Sequence, residues 1–344
     1  MRKIKIAQIG IGHDHAADSY RTLYNHPEQF DLAGWCAVEG EEDSVELMKT
    51  RFDFYAKTKQ LTLNEILNMP DLEAVLIETG DWDLTKYARM AAEKNLHVRM
   101  DKPGGADTVE FEELLRTMKK TGKVFQIGYM YRYNPKYLEL LDMAEKGEIG
   151  TIYSVEAHMD CEHGAPKRAW LGKLDGGMMQ FLGCHLVDLI FRLQGVPEEI
   201  LAFNTSSGFD GVTAKDIGFA VFRYKNGVSF AKTAACEPGG FMRRQLVVCG
   251  EKRTVTLLPF ERYVEGGQKT DMRVCEKGVE GWGYDGVHSS SDAYGRYDAM
   301  FDDFYRFVTE GRQNPYTLEY EARLHRILLA ACGEQVDYKG EIEL

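Results

Sequence analysis

The chain holds no apolar run long enough to cross a bilayer, no C-x-x-C pair, no internal repeat and no low-complexity segment. Each absence closes off a class. A spanning helix needs about 20 consecutive apolar residues, so no membrane partner is expected. The seven cysteines (36, 161, 184, 236, 249, 275 and 332) are odd in number and scattered. They suit neither a disulfide framework nor a zinc knuckle, and point to reduced thiols in a cytoplasmic protein. Positive charge is also short: 42 Lys and Arg stand against 54 Asp and Glu, a net charge of -12. That argues against nucleic acid or an anionic membrane as the main partner. The charged Met1-Arg2-Lys3 leads straight into fold-forming sequence, so no signal peptide is expected.

The 344 residues, 44% hydrophobic and 28% charged, suit two globular domains with a large core. The information is concentrated at the start. Lys3 to Ile9 reads as a strand, Gly10-Ile11-Gly12 follows at once, then His13-Asp14-His15 and a helical segment from Ala16 to Tyr24. Strand, glycine turn and helix form the context in which G-x-G-x-x-G marks a dinucleotide site. Gly10 lets the chain turn, Gly12 lets backbone approach a pyrophosphate, and the helix N-terminus supplies free N–H groups. The third glycine is missing, and His15 stands in its place. Two glycines after a strand also make an ordinary βα turn, and the following pattern favours the nucleotide fold.

Leu32 to Val38 reads as the second strand, whose end should carry a ribose-binding acid. Ala37 takes one place for it, and Glu39 is the nearest carboxylate. Glu41, Glu42 and Asp43 read as a solvated acidic loop. No Lys or Arg follows before Lys49, so NAD is favoured over NADP. Leu72–Thr79, His97–Met100 and Val124–Tyr129 read as further strands, with helices at Leu61–Leu67, Asp83–Asn95 and Thr108–Lys120 between them. Alternation of strand and helix predicts a doubly wound parallel sheet with its ligand at the strand C-terminal ends, which carry Gly10, Glu39, Thr79, Lys102 and Tyr129. Lys102 lies between Asp101 and Pro103 at such an end; its bland alternative is a surface loop lysine.

After Gly147 and Gly150 the period changes to two. Ile152–Glu162 alternates as a half-buried antiparallel strand, and more strands follow at 199–206, 216–224, 228–236, 244–249, 254–258 and 272–276. Lys225-Asn226-Gly227 marks a hairpin. Gly266–Gly295 reads as a long exposed loop. The helix Met178–Leu193 carries an apolar stripe with His185 inside it and Asp188 three residues on. Helices at 297–311 and 318–335 close the chain. The expected division is a Rossmann domain over 1–123 and a substrate-binding, oligomerising α+β domain with an open, mainly antiparallel sheet over 124–344. No metal site is assigned. His158, Asp160, His163 and His185 are suitable types, and strand alternation puts His158 and Asp160 on one side, but that polar row reads as facing solvent or a subunit.

These motifs together resemble the glucose–fructose oxidoreductase / inositol dehydrogenase (Gfo/Idh/MocA) family over essentially the whole chain. The segments that carry the resemblance are Ile9-Gly10-Ile11-Gly12, Asp101-Lys102-Pro103 for the family's Glu-Lys-Pro, Gly128 with Arg132-Tyr133-Asn134-Pro135, Gly147-Glu148-Ile149-Gly150, Trp170, and Asp175-Gly176-Gly177 through Gly183-Cys184-His185-Leu186-Val187-Asp188. The resemblance implies an N-terminal Rossmann domain, an open antiparallel sheet, bound NAD(P), sugar, cyclitol or polyol substrates, and a homodimer or homotetramer. One departure matters. The family has an Asp four residues before the His, and here Phe181 occupies that position.

The implied chemistry is hydride transfer between nicotinamide and a secondary alcohol. His185 serves as general acid/base, since imidazole titrates near working pH, and Lys102 orients the oxygen. Gly10, Ile11, Gly12, His13, His15, Glu39, Thr79, Asp101 and Lys102 are the expected cofactor contacts. Tyr129, Arg132, Trp170, Asp175 and His185 are the expected substrate contacts, and Asp188 either fixes the His185 tautomer or sits on the helix surface. Two alternatives remain: a redox-assisted glycosidase or epimerase with tightly held NAD, and an NAD-binding regulatory protein whose catalytic set has decayed, which Phe181 motivates.

Overall fold

The first strand, β1 (Ile4–Ile9), is buried along nearly its whole length, as a strand inside a parallel sheet must be. In the computed structural model, which describes residues 2–279 and 281–344, β1 pairs in parallel with β2 (Phe30–Cys36) and β3 (Ala74–Ile77). Then β4 (His97–Met100) and β5 (Phe125–Ile127) complete a five-stranded parallel sheet of order β2-β1-β3-β4-β5. The order reverses between β1 and β3, the position at which such sheets bind ligands. Helices Ala16–Asn25, Leu84–Glu93 and Thr108–Thr121 make the crossovers. Asp107 caps the last of these on the Glu110 N–H at 2.8 Å, and Gly122 ends it with φ 64°.

The chain divides into two compact units. The first joins Met1–Tyr129 to Tyr297–His325 and Glu341–Leu344, and the second is Met130–Arg296 with Arg326–Gly340. The division thus falls later than residue 123, and the chain returns to the first unit near its end. The causes are specific. β5 is the fifth strand of the parallel sheet, and the Asp298–Glu310 helix sets Phe301 and Tyr305 edge-on to Phe30 of β2, with ring centroids 6.2 and 6.1 Å apart.

The second unit is built on eight strands: β6 (Ile152–His158), β7 (Glu199–Ala202), β8 (Ile217–Tyr224), β9 (Gly227–Ala234), β10 (Gln245–Gly250), β11 (Arg253–Leu257), β14 (Asp271–Glu276) and β15 (Val287–Ser290). A separate two-stranded ribbon, β12 (Arg262–Val264) and β13 (Gly267–Lys269), lies between β11 and β14 in sequence. The order is β15-β14-β11-β10-β6-β9-β8-β7, antiparallel except for the β6–β9 pair. Lys225-Asn226 makes the expected two-residue hairpin, with Tyr224 opposite Gly227. The segment 266–295 is not one loop: β13, β14 and β15 run through it, and residue 280 lies outside the described residues. Its Gly and Ser content reflects exposed edge strands and turns, since β15 is exposed throughout. Among the described residues no helix is long and apolar enough to cross a membrane, and all seven cysteines are free thiols.

Candidate active site

β1 runs into Gly10, which turns the chain with φ 89°. A Cβ there would lie 2.4–2.7 Å from atoms of Thr79, so only glycine fits and Thr79 forms the wall behind the turn. Past it, the N–H groups of Ile11 and Gly12 converge on one carboxylate. Glu41 Oε2 accepts from Ile11 at 2.8 Å and from Val38 at 3.0 Å, and Oε1 accepts from Gly12 at 2.8 Å. Glu41 is buried and Glu39 is exposed. The burial of Glu41 corrects its reading as part of a solvated acidic loop. The strand ends at Cys36 and a turn closed by Glu41 N–H to Val38 C=O folds residue 41 back over the glycines. Burial pushes the Glu41 carboxyl up, and the amides of Ile11, Val38 and Gly12 offset this only in part. These amides hold the Glu41 carboxylate at the glycine turn beside the start of the Ala16–Asn25 helix, and an acid fixed there fits the ribose of the cofactor that the fold implies.

Under the turn lies a buried set of charges. Arg99 donates to Glu78 Oε1 at 2.6 Å and to Asp101 Oδ2 at 3.0 Å. Asp101 Oδ1 accepts the Lys102 N–H at 2.7 Å and faces His15 Nδ1 at 3.1 Å. His13 Nε2 lies 3.2 Å from the Lys102 carbonyl oxygen, and 3.6 Å from both Asp81 Oδ1 and Asp101 Oδ1. The Lys102 ammonium is 3.7 Å from Asp81 Oδ1 with only 1% of its side chain exposed, which discards the surface-loop alternative. Burial pushes Asp101 up, yet His13, His15 and Arg99 outweigh it and hold the carboxyl well below its ordinary range. Burial lowers His13, but Asp101 and Asp81 raise it further than that. His15 is brought down to about 4, chiefly by burial. Glu78 is pushed up to about 8 by burial and then by the Asp101 charge, against Arg99 and His13. Tyr129 is buried in the same unit, its hydroxyl 3.4 Å from Pro103 C=O. Asp81 carried no sequence signal beyond its place after β3.

In the second unit His185 is buried on the Cys184–Gln194 helix, which continues a π-helical turn over Met179–Gly183. The Tyr131 ring stands perpendicular to His185, centroids 4.7 Å apart. Tyr131 donates to Glu261 Oε1 at 2.5 Å and accepts from Arg244 at 3.0 Å and Arg296 at 2.6 Å. None of these four stands out in the sequence, because they meet from separate strands and loops. The Arg132 guanidinium grips both Asp188 oxygens at 2.8 Å. Trp170 meets Phe181 edge-on at 5.5 Å, and the Lys167 ammonium sits 3.5 Å from the Trp170 ring centroid and 4.5 Å from that of Phe181. A cation therefore adjoins the position where the resemblance expects an acid. Asp175 is exposed, with its carbonyl bonded by Lys215 at 2.8 Å. The glycines after it make close approaches to protein: a Cβ on Gly176 would meet Cys332 Sγ at 2.3 Å, and one on Gly177 would meet Lys215 O at 2.3 Å. Asp160, two residues past the end of β6, is buried 3.0 Å from Lys232 Nζ.

A doubly wound sheet with this glycine turn, joined to an open, mainly antiparallel sheet, defines a nicotinamide-dependent oxidoreductase of two units. Residues 4–129 match the oxidoreductase family with an NAD-binding Rossmann fold, and residues 137–256 match the GFO/IDH/MocA C-terminal domain. The chain belongs to the Gfo/Idh/MocA family of oxidoreductases. It is 25% identical over 289 residues to the uncharacterized oxidoreductase YhhX of Escherichia coli K12, covering 79% of this chain and 81% of that one. It is 26% identical over 148 residues to inositol 2-dehydrogenase of Salmonella typhimurium LT2, an alignment covering 43% of each chain, so less than half of that relative's length is matched. Levoglucosan dehydrogenase, solved as a complex with NADH and levoglucosan, shares the fold at TM-score 0.80 and 16% identity over 96% of each chain.

Proposed function

We propose that the protein transfers hydride between NAD and a secondary alcohol of a sugar, cyclitol or related polyol. The observation that carries this reading is Lys102: a buried ammonium at the C-terminal end of β4, in the unit whose glycine turn fits the dinucleotide. When bound, the nicotinamide supplies the hydride acceptor or donor. Lys102 donates an N–H to the substrate oxygen and stabilises alkoxide charge as it develops. His185 takes the hydroxyl proton on an imidazole nitrogen, and returns it in the reverse direction. His185→Ala is expected to lower kcat by roughly 10²–10⁴-fold while NAD binding persists. A panel of sugars, polyols and sugar acids followed by NADH absorbance, with NAD binding read by calorimetry, checks both; unchanged turnover removes His185 from the mechanism.

Glu41 is assigned the ribose hydroxyls, which its two oxygens can accept while the turn amides hold it in place. A 2′-phosphate at that carboxylate meets like charge, so NAD is favoured over NADP. Glu41→Ser should weaken NAD binding by roughly 10- to 100-fold, the range of about 1.5–3 kcal/mol for hydrogen bonds to a charged group, and should narrow the preference over NADP. Equal affinities for both cofactors in the unaltered protein dismiss the assignment. The homodimer or homotetramer is assigned to the exposed Tyr153, Leu201, Phe203 and Val228 on and beside β6, β7 and β9, and light scattering measures it.

A further inference from the structure

We infer that His13 and His15 are positioning residues for Lys102, gripping its peptide from the glycine turn so that occupancy of the turn and placement of the ammonium are coupled. The inference rests on the hydride-transfer reading and deepens it. All the groups involved lie in the first unit.

The grip has two arms. His13 Nε2 holds the Lys102 carbonyl oxygen at 3.2 Å. His15 Nδ1 holds Asp101 Oδ1 at 3.1 Å, and that same oxygen accepts the Lys102 N–H at 2.7 Å. The two peptide groups flanking the Lys102 Cα are thus fixed through residues of the turn, one directly and one through Asp101. The arms are themselves anchored. The His13 N–H donates to Glu78 C=O at 3.0 Å, and His13 Nδ1 accepts the His15 N–H at 3.1 Å. Because Nδ1 accepts, Nε2 carries the proton and donates it to the lysine's carbonyl. Glu78, Asp81, Asp101 and the Lys102 ammonium are the charged groups that act on these imidazoles. A glycine at position 15, the usual third member of the fingerprint, packs helix to strand but reaches nothing. His15 reaches Asp101 instead.

A metal ion is the rival explanation, since the donor atoms of His13, His15 and Asp101 lie within 4.8 Å of one another. Ligation requires a bare ring nitrogen. Both nitrogens of His13 are engaged, Nε2 by the Lys102 carbonyl and Nδ1 by the His15 N–H, so the hydrogen-bonded grip is the arrangement this geometry supports.

The test compares His13→Leu, His13→Gln and His15→Gly with the unaltered protein. Gln keeps an N–H that can reach a carbonyl; Leu does not. His13→Leu and His15→Gly should lower kcat by roughly 30- to 100-fold, the scale of a misplacement near 1 Å. His13→Gln should recover most of the loss. Hydrogen exchange over residues 101–105 gives an arm that needs no turnover: NAD slows exchange there in the unaltered protein and fails to do so in His13→Leu. Full kcat in His13→Leu overturns the inference, as does Gln performing no better than Leu. So does a stoichiometric metal in the purified protein that His13→Leu loses. If no sugar or polyol is turned over at all, the hydride-transfer reading fails and the exchange arm decides alone; equal exchange in both proteins then overturns the coupling.

Discussion

Replacing Lys102 with Met is expected to cut kcat by ~10³-fold while the NAD dissociation constant stays within about threefold, because in the proposed mechanism the ammonium meets charge that develops only in the transition state. Two features make the loss large. The lysine is buried, so water cannot replace its donor, and Asp81 at 3.7 Å has that ammonium as a counter-charge. Lys102→Arg should not rescue, since a planar fork on a rigid head cannot occupy the place of a compact ammonium. Removing a buried cation also leaves Asp81 with less compensation, so the Met variant should melt lower. The measurements are steady-state turnover on the polyol found active, calorimetric NAD binding and a thermal melt. Turnover at the unaltered rate with Met at 102 dismisses the mechanism, whatever the melt does.

The parts of this architecture legible in the sequence were those written locally. Strand, glycine turn and helix are adjacent along the chain, so β1, Gly10 and the Ala16–Asn25 helix could be read directly. The 108–121 helix announced itself by a cap, an apolar stripe and a closing glycine. Lys102 was recoverable because Pro103 and the strand before it fix its place at a strand end. What failed was non-local or depended on one turn. Glu41 rather than Glu39 reaches the glycines because a single backbone hydrogen bond reverses the chain after β2, and no period in the sequence encodes it. The short helices Val45–Arg51 and Asp53–Lys57 leave too few turns for a periodic stripe to show. Arg132 and Asp188 are 56 residues apart, and their fork exists only after folding. Glycines 176 and 177 make close approaches to Cys332 and Lys215, which come from distant parts of the chain, so no local pattern names these neighbours.

The buried cluster beside His185 gives the largest expected effect on stability. Glu261→Gln should destabilise the second unit by about 3–5 kcal/mol, the range for breaking a buried ion pair and leaving its partner uncompensated. Glu261 has no solvent exposure, and its Oε1 accepts from Arg244 at 2.5 Å and from Arg296 at 3.1 Å. Burial pushes its carboxyl up, but Arg296 and Arg244 outweigh that and hold it below the ordinary value. The sign of the pH dependence follows. With the folded pKa below the unfolded value of about 4.3, the ionised group stabilises the fold fully above that pH, and the contribution is lost as pH falls through the folded pKa. The unaltered protein and Glu261→Gln should therefore differ most near neutral pH, by on the order of 10 °C in the transition of the second unit. The gap should close in acid. Because Tyr131 donates to Glu261 and packs its ring 4.7 Å from His185, the variant should also lower turnover at temperatures where it remains folded. Thermal melts from pH 3 to pH 8, paired with kcat at a temperature below both transitions, measure the two effects. A variant that melts with the unaltered protein at pH 7 shows that the two arginines need no carboxylate between them.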